Sequence, residues 1–413
     1  METLRFLMVT TFYPPYHLGG DAVHVQYLAR ALAAKGHEVH VEFSPAAYSL
    51  KRGRPNGHAP EEDGVRVHPI PDDGWTQPVA AHVLGRSRSV GRFHAGLVEG
   101  IRPDVIHHHN ISLLGLQVLD RHNGARTLYT AHDYWVRCPR SDLFKYGRYP
   151  CDTPTCIRCV LLSGRPPQLW RYGGGWRGLR GIDCAIAPSQ YMADAIQPAV
   201  ACPVVHIPNF APDSTPTQPG PEPGYFLFVG VLEAHKGVSE LVTASLRRSF
   251  PVRVVGRGSL SRRLKQLARR RRARVQVEGW VSRDRLIGLY RGARALVIPS
   301  LWPENAPLAA VEALACGTPL LVSRRGGLVE MLHDGATGFS FEPTSEDIGA
   351  AVDRFEQGGD SAGLRASARQ AYERYHHPEA YLRRYLDVAR DNGSSIDSSH
   401  PAPTGTVPGG GVP

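Results

Sequence analysis

The sequence holds no apolar run near the ~20 residues that a membrane-spanning helix needs. Its opening stretch, Met1–Pro15, has no basic region ahead of its apolar residues and reads as a strand at once. Neither a spanning helix nor a secretory leader is expected, which makes the cytoplasm the expected compartment. There the seven cysteines would stay mostly reduced. The paired glycines Gly19–Gly20 are not a GxGxxG, so a dinucleotide-binding reading of them is weak. The most basic run, residues 261–274, carries eight Lys/Arg and no acid, but no interleaved aromatics for base stacking. Leu264 and Leu267 make it a surface helix, and nucleic acid is not an expected partner. A polyanion-binding protein built on the 262–274 arginine run is the non-enzymatic alternative.

What is present reads as globular: 413 residues, 42% hydrophobic and 21% charged, enough for two domains with a core each. The net charge of +10 suits a polyanionic partner such as a diphosphate or an anionic membrane. Leu4–Val9 is apolar enough for a strand buried on both faces. Gly19–Gly20 then precede a helix with Val25, Leu28, Ala29 and Leu32 on one side, and Val39, Val41 and Phe43 alternate as the next strand. This strand–loop–helix–strand start predicts a doubly wound α/β sheet. Val105–Ile106 leads into His107, His108, His109 and Asn110. Adjacent strand side chains alternate faces, so the three histidines cannot chelate one metal together; a strand end opening on a cleft is expected. Thr127–Ala131 is another strand and delivers His132-Asp133-Tyr134-Trp135.

Cys138, Cys151, Cys156 and Cys159 follow, with spacing C-x12-C-x4-C-x2-C in Pro- and Gly-bearing sequence. Four thiolates close a tetrahedral zinc site, and a loop this long without its own core calls for such a staple. An iron–sulfur spacing and plain thiols stay open beside zinc. Trp170, Tyr172 and Trp176, interleaved with Arg171, Arg177 and Arg180 and joined by Arg86, Arg88 and Arg92, could rest on a membrane surface or form an ordinary solvated face. Ala211–Gly224 reads as a linker, Tyr225–Val229 restarts a buried strand, and Asp391–Pro413 has the composition of a disordered tail.

The chain is organised around Ala295–Thr318. Ala295–Pro299 reads as a buried strand, Ser300–Asn305 as a loop, and Pro307 as the first residue of a helix that ends near Cys316–Gly317. Glu304 and Glu312 stand eight residues apart across this junction. In a parallel α/β sheet that edge binds ligands: free N–H groups at the helix start can hold a phosphate, and carboxylates accept from sugar hydroxyls.

This pair, with Glu312 opening EALACGTP and with Gly326–Gly327 beyond, closely resembles the retaining glycosyltransferases of family 4. The resemblance implies the GT-B fold, two doubly wound Rossmann-like domains facing across a cleft, and covers nearly the whole ordered chain. The implied boundaries are 1–210 for the acceptor-side domain with a Cys-rich insert at 138–160, a linker at 211–224, a donor domain at 225–374, a helix crossing back at 375–390 and a disordered tail at 391–413. The implied reaction is hexosyl transfer with retention, from a nucleoside-diphosphate sugar to a glycan, lipid-linked or small-molecule acceptor. A sugar-nucleotide epimerase or a phosphorylase of the same fold is the enzymatic alternative. The resemblance places Glu304 on the sugar, Glu312 on the ribose, Lys236 on the diphosphate and His132 near the transferred sugar. Gly19, Gly20, Gly230, Gly256, Arg257, Asn305, Ala306, Pro307 and Leu308 complete the implied donor site. Val231 departs from the pattern, standing where the family has an arginine; His235 or Arg257 could replace it. No DxD pattern stands at the expected place, so no catalytic cofactor is implied, only a structural zinc at the four cysteines. A subgroup of the family carries a similar segment from HDYW through the CxxC.

Overall fold

The computed structural model of the chain describes residues 2–53, 64–72, 74–120, 124–172, 178–214, 224–270, 274–332, 336–358 and 361–390. The expected tail at 391–413, linker residues 215–223, arginine-run residues 271–273, and Trp176 and Arg177 lie outside the described residues.

The chain divides into two compact units. One comprises the residues up to Asp142, Thr153–Ile207 and the segment from Leu382; the other comprises Leu143–Asp152 and Pro208–Tyr381. In the first, the expected apolar runs become β1 (Arg5–Val9), β2 (Glu38–Phe43), β4 (Val105–His108) and β5 (Arg126–Thr130), and β3 (Val65–Pro69), not expected from the sequence, joins them. Next in the chain comes a short antiparallel pair that belongs to the second unit, β6 (Phe144–Lys145) and β7 (Tyr149–Pro150), and the first unit resumes with β8 (Cys184–Ala187) and β9 (Val204–His206). The seven-stranded sheet has the order β3-β2-β1-β4-β5-β8-β9 and is parallel throughout. Parallel strands are covered on both faces, which is why β1 and β4 are apolar or buried along nearly their whole length.

The second unit holds β10 (Tyr225–Val229), β11 (Val252–Val255), β12 (Val275–Val277), β13 (Ala293–Ile298), β14 (Leu320–Ser323) and β15 (Gly338–Phe341). Their order is β12-β11-β10-β13-β14-β15, again all parallel. Phe226, Phe228, Val254, Val297 and Leu321 meet helix residues Leu241, Val242, Ile348 and Phe355 in its core. The basic helix Ser261–Arg270 is anchored there by Leu264, as its pattern implies. In both units the strand order reverses beside the first strand, between β1 and β4 and between β10 and β13. Loops leaving the carboxyl ends at such a point diverge and leave a crevice.

The helix near the end of the chain runs Pro378–Arg390, after a π-helical turn at Tyr372–His376. Tyr385 lies in the first unit, its ring against Phe6. The basic, aromatic face expected around Leu169–Arg180 is in part interior. The Arg171 guanidinium lies against the rings of both Trp135 and Trp170, 4.9 and 4.5 Å from their centres. It donates to the carbonyls of Trp135 and Val136. Packing within the unit therefore occupies Arg171 and Trp170, while Arg86, Arg88, Arg92 and Arg180 are exposed. No helix among the described residues is long and apolar enough to cross a membrane.

Candidate functional site

In the second unit the chemistry-bearing side chains come from the loops after β10 and β13, the two strands flanking the reversal. The first loop ends in a 3-10 turn at Ala234–Lys236 and then Gly237, whose φ of +66° favours glycine. A Cβ there would sit 1.7 Å from the carbonyl oxygen of Pro299, so only glycine lets the two loops touch. Leu301 N–H also donates to the carbonyl of His235 at 2.9 Å. The contact brings Lys236 onto Glu304: Nζ donates to Oε1 at 2.6 Å.

Glu304 is 4% exposed. Ser300 Oγ donates to the same carboxylate oxygen at 2.6 Å, and the ring of Trp302 lies 4.8 Å from the Lys236 ammonium. Burial pushes the Glu304 carboxyl up, but the Lys236 charge and hydrogen bonds from Lys236, Ser300 and Trp302 outweigh it and hold it below its ordinary value. Gly327 N–H closes the loop onto the Glu304 carbonyl at 2.8 Å.

Asn305 and Ala306 are buried, and Asn209 Nδ2 donates to the Ala306 carbonyl at 2.7 Å. Pro307 is extended and caps the helix, which starts at Leu308, one residue later than the sequence suggests. In that first turn Ala310 N–H donates to the Pro307 carbonyl at 2.9 Å, while the N–H groups of Leu308 and Ala309 precede any helical acceptor. Glu312, one turn further along, accepts from the Tyr290 hydroxyl at 3.1 Å and lies 3.6 Å from an Arg283 nitrogen. Here burial wins, and the carboxyl is raised above its ordinary value despite Arg283 and Tyr290. Gly230 and Gly256 pack backbone to backbone: a Cβ on Gly256 would fall 1.8 Å from the Gly230 carbonyl oxygen. Arg257 is exposed on the same edge, and Val231 is half-buried. A cavity of about 690 Å³ opens at the opposite, amino-terminal edge, lined by Tyr225, Arg253, Arg274 and Arg285, away from these carboxylates.

In the first unit Gly19 and Gly20 stand at the start of the helix Gly20–Ala34, and Gly19 is extended at φ −150°, a conformation open to any residue. Asp21 beside them accepts from Asn110 Nδ2 at 2.9 Å. At the end of β4, His109 lines a small pocket with Asn110, His132 and Asp133, and His107, His108 and His109 are all buried. They are packed as alternation demands. His107 and His109 share a face, with ring centres 3.9 Å apart, and His108 turns the other way toward His94. His107 meets the Tyr385 hydroxyl at 2.9 Å and Thr130 Oγ1 at 2.8 Å. His109 Nδ1 lies 3.0 Å from Nε2 of His132, and His24 sets its ring edge-on to His132. Burial pulls the His132 imidazole down to about 4, against the pull of Asp21. Asp133 is pushed up to about 7 by burial, with Asp21 adding to the shift and the Trp135 N–H opposing it. Asp21, His109 and Asp133 were not among the residues expected at this site. The signal that could have found His109 is the two-residue period that places it beside His107.

The expected zinc site is not supported. Among the described residues no three or more His, Cys, Asp or Glu side chains gather where they could hold a metal ion, and none of the seven cysteines forms a disulfide. Cys156 and Cys159 lie on the helix Cys156–Leu162, where Cys159 and Val160 are buried. Phe144 is buried nearby in sequence, and Arg140 pairs with Asp142 at 2.8 Å, both largely shielded.

Residues 213–374 match the family described as Glycosyl transferases group 1, and residues 18–214 match Glycosyltransferase Family 4. A D-inositol 3-phosphate glycosyltransferase from an Arthrobacter species is 30% identical over 366 residues, 78% of this chain and 77% of its own. Glycogen synthase of Mycobacterium tuberculosis is 27% identical over 373 residues, 82% and 83% of the two chains. The structure of sucrose-phosphate synthase from Thermosynechococcus elongatus superposes with a TM-score of 0.71, at 19% identity and over 94% of this chain and 98% of the other. Two parallel α/β units of this order are the architecture of GT-B enzymes. The chain belongs to the group 1 glycosyltransferases and is a glycosyltransferase of the GT-B fold.

Proposed function

We propose that the protein is a retaining hexosyltransferase that uses a nucleoside-diphosphate sugar and delivers the hexosyl group to a glycan, lipid-linked or small-molecule hydroxyl. The observation that carries this reading is the Lys236–Glu304 pair at the reversal point of the second sheet, directly ahead of the helix Leu308–Ala315. Lys236 and the helix N–H groups are the donors that neutralise a departing diphosphate. Glu304 accepts from the sugar hydroxyls, Glu312 from the ribose, and His132 serves the transferred sugar. The acceptor attacks the face the diphosphate leaves, which keeps the anomeric configuration. The test is a donor panel read by nucleoside-diphosphate release, with the product anomer assigned by NMR. Inversion at that carbon would overturn retention, and silence across the panel would overturn hexosyl transfer.

Glu312 gives a sharper check. Its folded-state carboxyl is raised above the 4.5 of an unfolded chain, so ionising it costs folding free energy. The sign follows: stability is highest below about 4.5 and declines as pH rises through the folded value. Glu312→Gln removes that cost. At pH 7 its melting temperature should match or exceed the parent's, while affinity for a ribonucleoside diphosphate falls toward that for the deoxy analogue. A stable variant with full ribose preference would remove Glu312 from the site.

A further inference from the structure

We propose that His109 is a positioning residue for glycosyl transfer: it donates its Nδ1 proton to Nε2 of His132, so His132 keeps its own proton on Nδ1 and meets ligands as a hydrogen-bond donor. This rests on the reading that His132 serves the transferred sugar.

The two rings lie edge to edge and nearly coplanar, 22° apart in plane, with centres 5.2 Å apart and the nitrogens 3.0 Å apart. His109 is held well below its ordinary value by burial and by the histidines His107, His132, His24 and His108 around it, so both partners are neutral at pH 7. A neutral imidazole carries one N–H and one lone pair, so a single proton lies between the two rings. Its position follows from the other end of His109. Nε2 of His109 is buried and has no hydrogen-bond partner among the described residues. If His132 were the donor, the His109 proton would sit on that nitrogen as an orphaned buried N–H. With His109 as donor, only a lone pair is left there, and under-satisfied acceptors are better tolerated than orphaned donors.

The donor is also fixed in place. His109 follows β4, its N–H donates to the Val9 carbonyl at 2.9 Å, and its ring lies on His107, itself held by Tyr385 and Thr130. His132 is half-buried, so its second nitrogen is the one left to face a ligand. A ring whose Nε2 lone pair is engaged and whose Nδ1 is protonated takes no proton from an acceptor hydroxyl. Its use is to hold an oxygen.

The experiment is ¹⁵N NMR of the histidine-labelled full chain at neutral pH, with the His132 signals assigned through His132→Gln. The expected spectrum has His132 Nδ1 protonated and Nε2 bare. His109→Leu should scramble that tautomer and lower kcat roughly five- to tenfold, with nucleoside-diphosphate affinity unchanged. His109→Asn places an amide N–H where Nδ1 stood and should restore the tautomer and most of kcat. A parent His132 protonated on Nε2 would overturn the proposal, as would His109→Leu with an unchanged tautomer and unchanged turnover. If the expected tautomer appears and no donor in the panel is consumed, the proton assignment stands and the hexosyl-transfer reading falls.

Discussion

Glu304→Gln should lower turnover about 30- to 1000-fold, a loss of ~2–4 kcal/mol in transition-state stabilisation. The amide matches the carboxylate in size, and Ser300 can still donate to it, so the loop should keep its shape. What changes is charge: an amide is a weaker acceptor for sugar hydroxyls and no longer balances the ammonium 2.6 Å away. The effect should therefore fall on kcat, with substrate KM moving little and the melting temperature reporting any lost stability separately. Steady-state kinetics with the best donor from the panel decides it. Turnover within twofold of the parent would mean that Glu304 does not face the reacting sugar.

Lys236→Ala should raise the dissociation constant for nucleoside diphosphate by roughly 10- to 150-fold, the ~1.5–3 kcal/mol typical of a charge-assisted contact. The free nucleoside, which lacks the diphosphate, should bind as before. The loss falls at the high end of that range because Val231 supplies no charge to share the anion, and Arg257 on the next loop is exposed. Calorimetry with both ligands separates the outcomes. An equal loss for diphosphate and nucleoside would show that Lys236 shapes the loop and does not bind phosphate.

The central strands were legible because they are buried on both faces and read as short apolar runs, whereas edge strands such as β3 and β12 are partly exposed. β13 and the junction to Leu308 could be placed nearly to the residue, since Pro299, Pro307 and Gly317 punctuate them. Glu304 and Glu312 were singled out together, yet their opposite environments were not visible. One is held ionised by a lysine 68 positions away in sequence, and the other is raised by burial beside a tyrosine 22 positions away. Such pairings depend on which loops leave neighbouring strands, which local pattern does not encode. The four cysteines suggested a metal by spacing alone, and among the described residues they do not gather into a set that could hold one. His109 was seen only as part of a run, since its value comes from His132 on the neighbouring strand's loop.

The histidine cluster of the first unit also bears on how the protein dies in acid. His24, His107, His109 and His132 are each held below the ordinary 6.5 chiefly by burial. An unfolded chain would take up a proton at each of them below about pH 6.5, and the folded unit refuses those protons until the medium is far more acidic. By linkage the unfolded form gains ground as pH falls through that window, and the cost vanishes above it. The second unit has no such cluster among its described residues, and its Glu304 carboxylate yields only below the ordinary carboxylate range. Acidification from neutrality should thus melt the first unit ahead of the second, giving two separated transitions where heat at pH 8 brings them closer together.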